Sequence, residues 1–223
     1  MAQPHQTPAD DLVSLSLFPL NVVLFPGMAL PLHIFEKRYK AMIGECIGQE
    51  QPFGIVLIKE GQEVGDPANP FPIGTTARVS RVERLAEGRM NILTTGEQRF
   101  ETAEISQQRP HLVGQVRYLE EQPGEIPSEM FTEISEEYTL FLQNLSALAG
   151  GWTGRVEAPE DPVRLSYSLA TNLDLPRDVR QELLEFPTAG QRLERLLPLI
   201  KKGNQALKEE VVKRNPFQGP RLN

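Results

Sequence analysis

The sequence predicts an α+β fold, an N-terminal β pseudo-barrel with one helix followed by a C-terminal helical bundle. Up to about residue 119, apolar residues recur in short runs, several of them with a period of two. From about residue 125 the spacing changes to three and four, the signature of helices buried on one face. Six short strand candidates, each bounded by turn residues, protect their edges best by curling into a closed or nearly closed barrel. With 223 residues the chain is long enough for one large domain or two small ones. Its 39% hydrophobic and 24% charged residues are those of a chain that folds.

Residues 1–11 (MAQPHQTPADD) lack an apolar pattern and read as a flexible tail. A barrel lobe over 12–122 opens with LVSLSLF, in which Val13, Leu15 and Leu17 alternate as in a half-buried strand that Pro19 ends. After a loop around Phe25-Pro26-Gly27, Tyr39, Met42, Ile43 and Ile47 predict a helix over 36–47. Strands follow over 53–58, 75–85, 90–96, 99–105 and 112–119, with Gly88 supplying a positive φ in the turn Ala86-Glu87-Gly88-Arg89. The helical lobe spans 123–210. Its first helix carries Met130, Ile134, Tyr138, Phe141, Leu145 and Leu148 and stops at Gly150-Gly151. Pro162 opens a second helix over 162–171. A third covers 177–185, and a fourth covers 189–210 with a kink expected at Pro198 or a break at Gly203. Residues 211–223 form a C-terminal tail.

Composition narrows the function classes. A formal charge of -7 and a pI near 5.2 provide no cationic footprint for nucleic acid. The single cysteine, Cys46, excludes an internal disulfide and the usual cysteine-rich zinc sites, so no metal is expected and a reducing cytoplasm fits best. Residues 12–35 are uncharged, but Pro19, Pro26, Gly27 and Pro31 interrupt them, and Asp10-Asp11 precede them where a secretory signal carries positive charge. Neither a membrane partner nor export is expected.

Catalytic motifs are absent. The chain has no G-x-x-x-x-G-K-[ST] phosphate loop, no G-x-S-x-G elbow and no H-E-x-x-H, and His5, His33 and His111 are isolated in the sequence. No catalytic residue and no cofactor is assigned. Between Glu121 and Asp161 the net charge is -8, and from Arg192 to Asn223 it is +5. The acidic run reads either as a solvated face or as a surface along which the last helix lays Lys201, Lys202, Lys208 and Lys213.

The chain resembles the N-terminal domain of the Lon protease family, and more closely the bacterial proteins made of that domain alone. The resemblance lies in Phe18-Pro19-Leu20, Leu24-Phe25-Pro26-Gly27, Leu30-Pro31-Leu32 and Ile34-Phe35-Glu36 with Arg38-Tyr39. It continues in Ile73-Gly74-Thr75 with Ala77, Gly88-Arg89, Gly96 and Arg99-Phe100, and in Gln181-Glu182-Leu183-Leu184-Glu185 with Arg192-Leu193. It implies a PUA-like pseudo-barrel followed by helices, and a role in substrate recognition without the ATPase and peptidase modules of full Lon proteases. Read on their own, Phe18, Leu20, Phe25 and Phe35 can fill the barrel, and Glu36 and Arg99 suit a buried structural pair that would cost about 3–5 kcal/mol to break from one side.

The expected function is therefore non-catalytic binding of unfolded or peptide-like protein segments. Phe25, Met28, Phe71 and Trp152 are the candidate exposed anchors, because each is a large apolar side chain on a Pro- or Gly-rich loop with no periodic face that demands burial. The same four residues can instead cap the core from their loops. Two other readings stand beside this one: a PUA-like nucleic-acid binder, which the acidic balance opposes, and an enzyme with an unrecognised site.

Overall fold

The computed structural model describes residues 12–63, 68–106, 110–148 and 157–214. The chain divides into two compact units, Met1–Glu120 with Arg177–Glu185, and Glu121–Pro176 with Phe186–Asn223.

The first unit contains strands β1 (Val13–Leu20), β2 (Ala29–Ile34), β3 (Phe53–Glu60), β4 (Asn69–Pro70), β5 (Ile73–Arg84), β6 (Met90–Ser106) and β7 (Leu112–Tyr118), with helix α1 (Lys37–Gly48) between β2 and β3. Strands pair antiparallel in the order β1-β7-β6-β5-β3, and β1 then pairs parallel with β3, closing the ring. Closure buries β1 and β3 on both faces, which is why FGIVLI in β3 is a continuous apolar run instead of an alternating one. On one side Leu15, Leu17, Val56, Phe100, Leu112 and Val116 form a cluster. On the other, Phe18, Leu20, Phe53 and Ile55 pack with Tyr39, Met42, Ile43 and Cys46 of α1.

Three elements differ from the sequence reading. Ala29–Ile34, to which the sequence reading assigns no strand, is strand β2, an edge strand paired with the first half of β6; Pro31 is tolerated because only one side of β2 belongs to the ladder. The two strands expected over 90–96 and 99–105 are one 17-residue strand, β6, running through Gly96. Gly96 is a point of close approach: a Cβ there would lie 2.3 Å from the Phe25 carbonyl oxygen. Register shifts at Thr75/Ala77, Val79/Arg81 and Thr102/Glu104 let these long strands bend.

The third difference is α4 (Arg177–Glu185), expected in the helical lobe and found with the sheet unit. It buries Leu183 and Leu184 and adds polar contacts. Arg177 Nη1 donates to Asn21 Oδ1 at 3.0 Å, and Gln181 Nε2 donates to the Ile73 carbonyl at 3.1 Å. Arg99, 1% exposed, donates Nη1 to the Leu184 carbonyl at 2.8 Å, satisfying one of the acceptors left open in the last turn of α4. The expected Glu36–Arg99 pair does not form, since Glu36 pairs with Arg38 at 3.0 Å.

The second unit contains α2 (Ser128–Leu148), α3 (Pro162–Asn172) and α5 (Ala189–Arg214). α5 packs along both α2 and α3, burying Leu193, Leu196 and Ile200 in the same core as Ile134, Phe141, Leu165 and Leu169. It passes through Pro198 and Gly203 without interruption. Arg192, wholly buried, donates to Glu121 Oε2, Ser166 Oγ and the Phe186 carbonyl, each at 3.0 Å, and its guanidinium lies 4.2 Å from the centre of the Tyr167 ring. The Tyr167 hydroxyl donates to the other Glu121 oxygen at 2.7 Å. The N–H groups of Ala189 and Gly190, orphaned at the start of α5, donate to the Gln122 and Pro123 carbonyls at 2.9 Å. Lys201 of α5 pairs with Glu133 of α2, so the acidic run does receive one cation from the last helix. No strand of more than four residues occurs over 125–210 among the described residues.

These contacts set three expectations. Gly96→Ala forces a methyl into the Phe25 carbonyl and lowers stability by about 1–3 kcal/mol, read as a shift of the urea midpoint. Arg192→Ala removes the donor shared by Glu121, Ser166 and the Phe186 carbonyl and costs about 1.5–3 kcal/mol in the same measurement. Burial, with the Glu45 carboxylate as a smaller contributor, pushes the Cys46 thiol above its ordinary value. Less thiolate is then present at neutral pH, and a thiol-disulfide reagent should react slowly with the native chain and much faster in urea. Equal rates in the two states would contradict that burial.

Candidate functional site: a groove along α2

α2 is built around one seam, with Ile134, Tyr138 and Phe141 buried at i, i+4 and i+7. Burial pushes the Tyr138 hydroxyl above its ordinary value, against an opposing hydrogen bond from Asn172, whose Nδ2 donates to the phenol oxygen at 2.7 Å. Beside the seam the helix carries Phe131, half-buried at its edge, and away from it Leu140, 44% exposed. They lie in a groove of about 720 Å³ with Thr132, Ser135, Glu136, Thr139 and Gln143, facing a wall made by Glu157, Ala158, Pro159 and Glu160. Asp161 steadies the end of this wall: it caps α3 by accepting the Arg164 N–H at 2.7 Å, with Pro162 in the first turn.

The hydroxyls of the groove are turned onto the helix itself. Thr132 donates to the Ser128 carbonyl at 2.9 Å, Ser135 to the Phe131 carbonyl at 2.7 Å and Thr139 to the Ser135 carbonyl at 2.9 Å. Their protons are committed to the helix backbone. The floor is thus more apolar than its sequence suggests. Three carboxylates, Glu136, Glu157 and Glu160, belong to the lining, and no Lys, Arg or His does among the described residues. Such a surface can hold side chains by burial, whereas a bound phosphate or nucleic acid would meet carboxylates.

Two smaller crevices in the sheet unit, of about 320 and 360 Å³, share Cys46 in their lining. In the first, Arg78 is engaged by Glu97 and by the Glu50 carbonyl. In the second, Ser16 Oγ is hydrogen-bonded to His111 Nε2 at 3.1 Å, a tie between β1 and the residue that precedes β7. Among the described residues no cluster of three or more His, Cys, Asp or Glu side chains could hold a metal ion, and no helix is long and apolar enough to cross a membrane.

The anchors expected from sequence fare differently. Phe25 is wholly buried, with the Arg180 guanidinium 4.9 Å from its ring centre, so it is not an exposed anchor. The Phe25–Met28 turn is fixed by two hydrogen bonds to Gly96, from Gly27 N–H to its carbonyl and from its N–H to the Met28 carbonyl. Met28 is half-buried against the core, and its sulfur lies 3.4 Å from Arg180 Nη2. Phe71 is half-buried, with its N–H on the Leu57 carbonyl. Trp152, like Arg155 and the Gly150-Gly151 stop, lies outside the described residues. None of Phe25, Met28 and Phe71 lines the α2 groove. Sequence reasoning missed Phe131 and Leu140; Leu140 falls off the 3.6-residue stripe carrying Ile134, Tyr138 and Phe141, whereas Phe131, three residues before Ile134 and seven before Tyr138, sits at the edge of that stripe.

Comparison with known proteins bears on the same residues. The family model described as the ATP-dependent protease La (LON) substrate-binding domain matches residues 14–202. The Lon protease of Anaeromyxobacter dehalogenans is 28% identical over 203 residues, covering 87% of this chain and 24% of the relative. That of Flavobacterium johnsoniae is 33% identical over 186 residues, covering 81% and 23%. The chain thus spans about a quarter of the length of the curated relatives it matches. Among solved structures, the Lon N-terminal domain protein from Xanthomonas campestris superposes with a TM-score of 0.64 at 26% identity, covering 83% of this chain and 98% of that one. The N-terminal domain of the Mycobacterium avium complex Lon protease, at 19% identity and a TM-score of 0.62, covering 85% and 98%, shows the same fold. A match extending from β1 to the middle of α5 leaves one conclusion: the chain belongs to the Lon substrate-binding domain family.

Proposed function

We propose that this chain is a non-catalytic module that binds unfolded or peptide-like segments of other proteins, and that the α2 groove is where it holds them. The observation that carries this reading is the groove itself, lined by the exposed Leu140 and the half-buried Phe131, with the neighbouring hydroxyls satisfied within the helix. Apolar side chains of an incoming segment gain burial there without stranding a donor. Membership in a family described as substrate-binding supports the same reading. The buried free thiol of Cys46 suits a reducing, cytoplasmic setting.

Leu140→Asp tests the groove directly. Leu140 is 44% exposed, so the variant should unfold at nearly the wild-type temperature. In a fluorescence anisotropy titration with a labelled, uncharged, apolar peptide it should bind about 30-fold more weakly, a loss of about 2 kcal/mol. Wild-type affinity in the folded variant would remove this site.

A further inference from the structure

We infer that the groove selects segments in which lysine or arginine is interspersed with apolar side chains. This rests on the polypeptide-binding reading above and adds to it the chemistry of the bound segment. α2 treats its carboxylates in two ways. Toward α5, Glu133 is paired with Lys201, and Glu137 accepts a hydrogen bond from Asn204. Around the groove, Glu136 and Glu160 are exposed and have no ion pair among the described residues, and Glu157 adds a third acidic side chain to the lining.

Glu136 and Glu160, with no ion pair among the described residues, set negative charge beside apolar side chains, so a cation carried by the occupant of the groove finds a partner there. A cationic side chain set next to a buried apolar one would meet a carboxylate from either wall, Glu136 on the helix or Glu160 opposite. An acidic segment would meet like charge, and a purely polar cationic one would leave Phe131 and Leu140 uncovered. Opposite charges at a rim act mainly on association rate and on discrimination between partners, and salt screens them.

The test uses the full chain and three labelled peptides of equal length: leucine with lysine, leucine with serine, and serine with lysine. In anisotropy titrations at about 0.15 M salt, the leucine–lysine peptide should bind about tenfold more tightly than the leucine–serine peptide, and the serine–lysine peptide more weakly than either. Raising salt to about 1 M should erase that tenfold advantage. The double variant Glu136→Gln/Glu160→Gln keeps the side-chain shapes and should lose the same factor for leucine–lysine alone. Equal affinities for the two leucine peptides, or an unaltered leucine–lysine affinity in the double variant, would overturn charge selection while leaving the groove in place. The failure of the groove reading looks different, because Leu140→Asp would then bind both leucine peptides as the wild type does. A wild-type chain that dimerises in sedimentation velocity and is dispersed by the double variant would also overturn the inference, since the occupant would be a second copy.

Discussion

A guanidinium removed from water must have its N–H groups satisfied by fixed acceptors, and each unit of this chain is organised around one such group. A buried arginine stays charged, so the fold has to bring acceptors to it. In the helical unit Arg192 draws in Glu121, Ser166 and the Phe186 carbonyl and stacks on Tyr167. The segment before α2, the middle of α3 and the start of α5 are thereby tied to one point. In the sheet unit Arg99 holds the Leu184 carbonyl, which keeps α4 against strands almost a hundred residues earlier in the chain. These groups confer geometric specificity more than net stability, because the desolvation of each charge offsets much of its attraction.

Ring closure imposes the second constraint. Once β1 pairs with β3, both strands have two buried faces, and the chain between them, residues 21–52, folds β2 and α1 against the cluster of Phe18, Leu20, Phe53 and Ile55. The Phe25–Met28 turn is part of that segment. Gly27 is at φ 80°, and Gly96 has no Cβ where the turn meets β6. The same closeness explains why Phe25 is core although it sits in a Pro-Gly loop: the turn is pinned from below by β6 and covered from above by Arg180.

Much of the fold was legible in the sequence because periodicity reports burial. The continuous apolar run of β3, the alternation that opens β1 and the 3.6-residue stripes of α1, α2 and α5 each placed an element within a few residues. The failures share a cause, which is that the contacts involved carry no apolar period. β2 goes unread because Pro31 is an edge device, and β6 reads as two strands because Gly96 serves the neighbouring turn instead of ending the strand. α4 reads as a bundle helix because buried leucines, here Leu183 and Leu184, are what a bundle helix also shows, while the polar contacts of Arg177, Arg180 and Gln181 to the sheet unit carry no period. Glu36 and Arg99 have complementary charges, but their separation in space could not be deduced from composition.

The candidate site was the least legible part, for a related reason. Loop aromatics are a sound first guess for a binding surface, yet whether a loop is pinned depends on distant residues such as Gly96 and Arg180. The groove instead arises from a surplus: α2 carries more large apolar residues than its seam buries, with Leu140 outside it and Phe131 only half-covered at its edge. A surplus is visible only after the seam is known. The back-bonded hydroxyls and the unequal treatment of the carboxylates on the two sides of α2 follow from where the neighbouring helices lie. The sequence therefore carries the residues of the site in plain view, while its chemistry is created by what the packed helices leave uncovered.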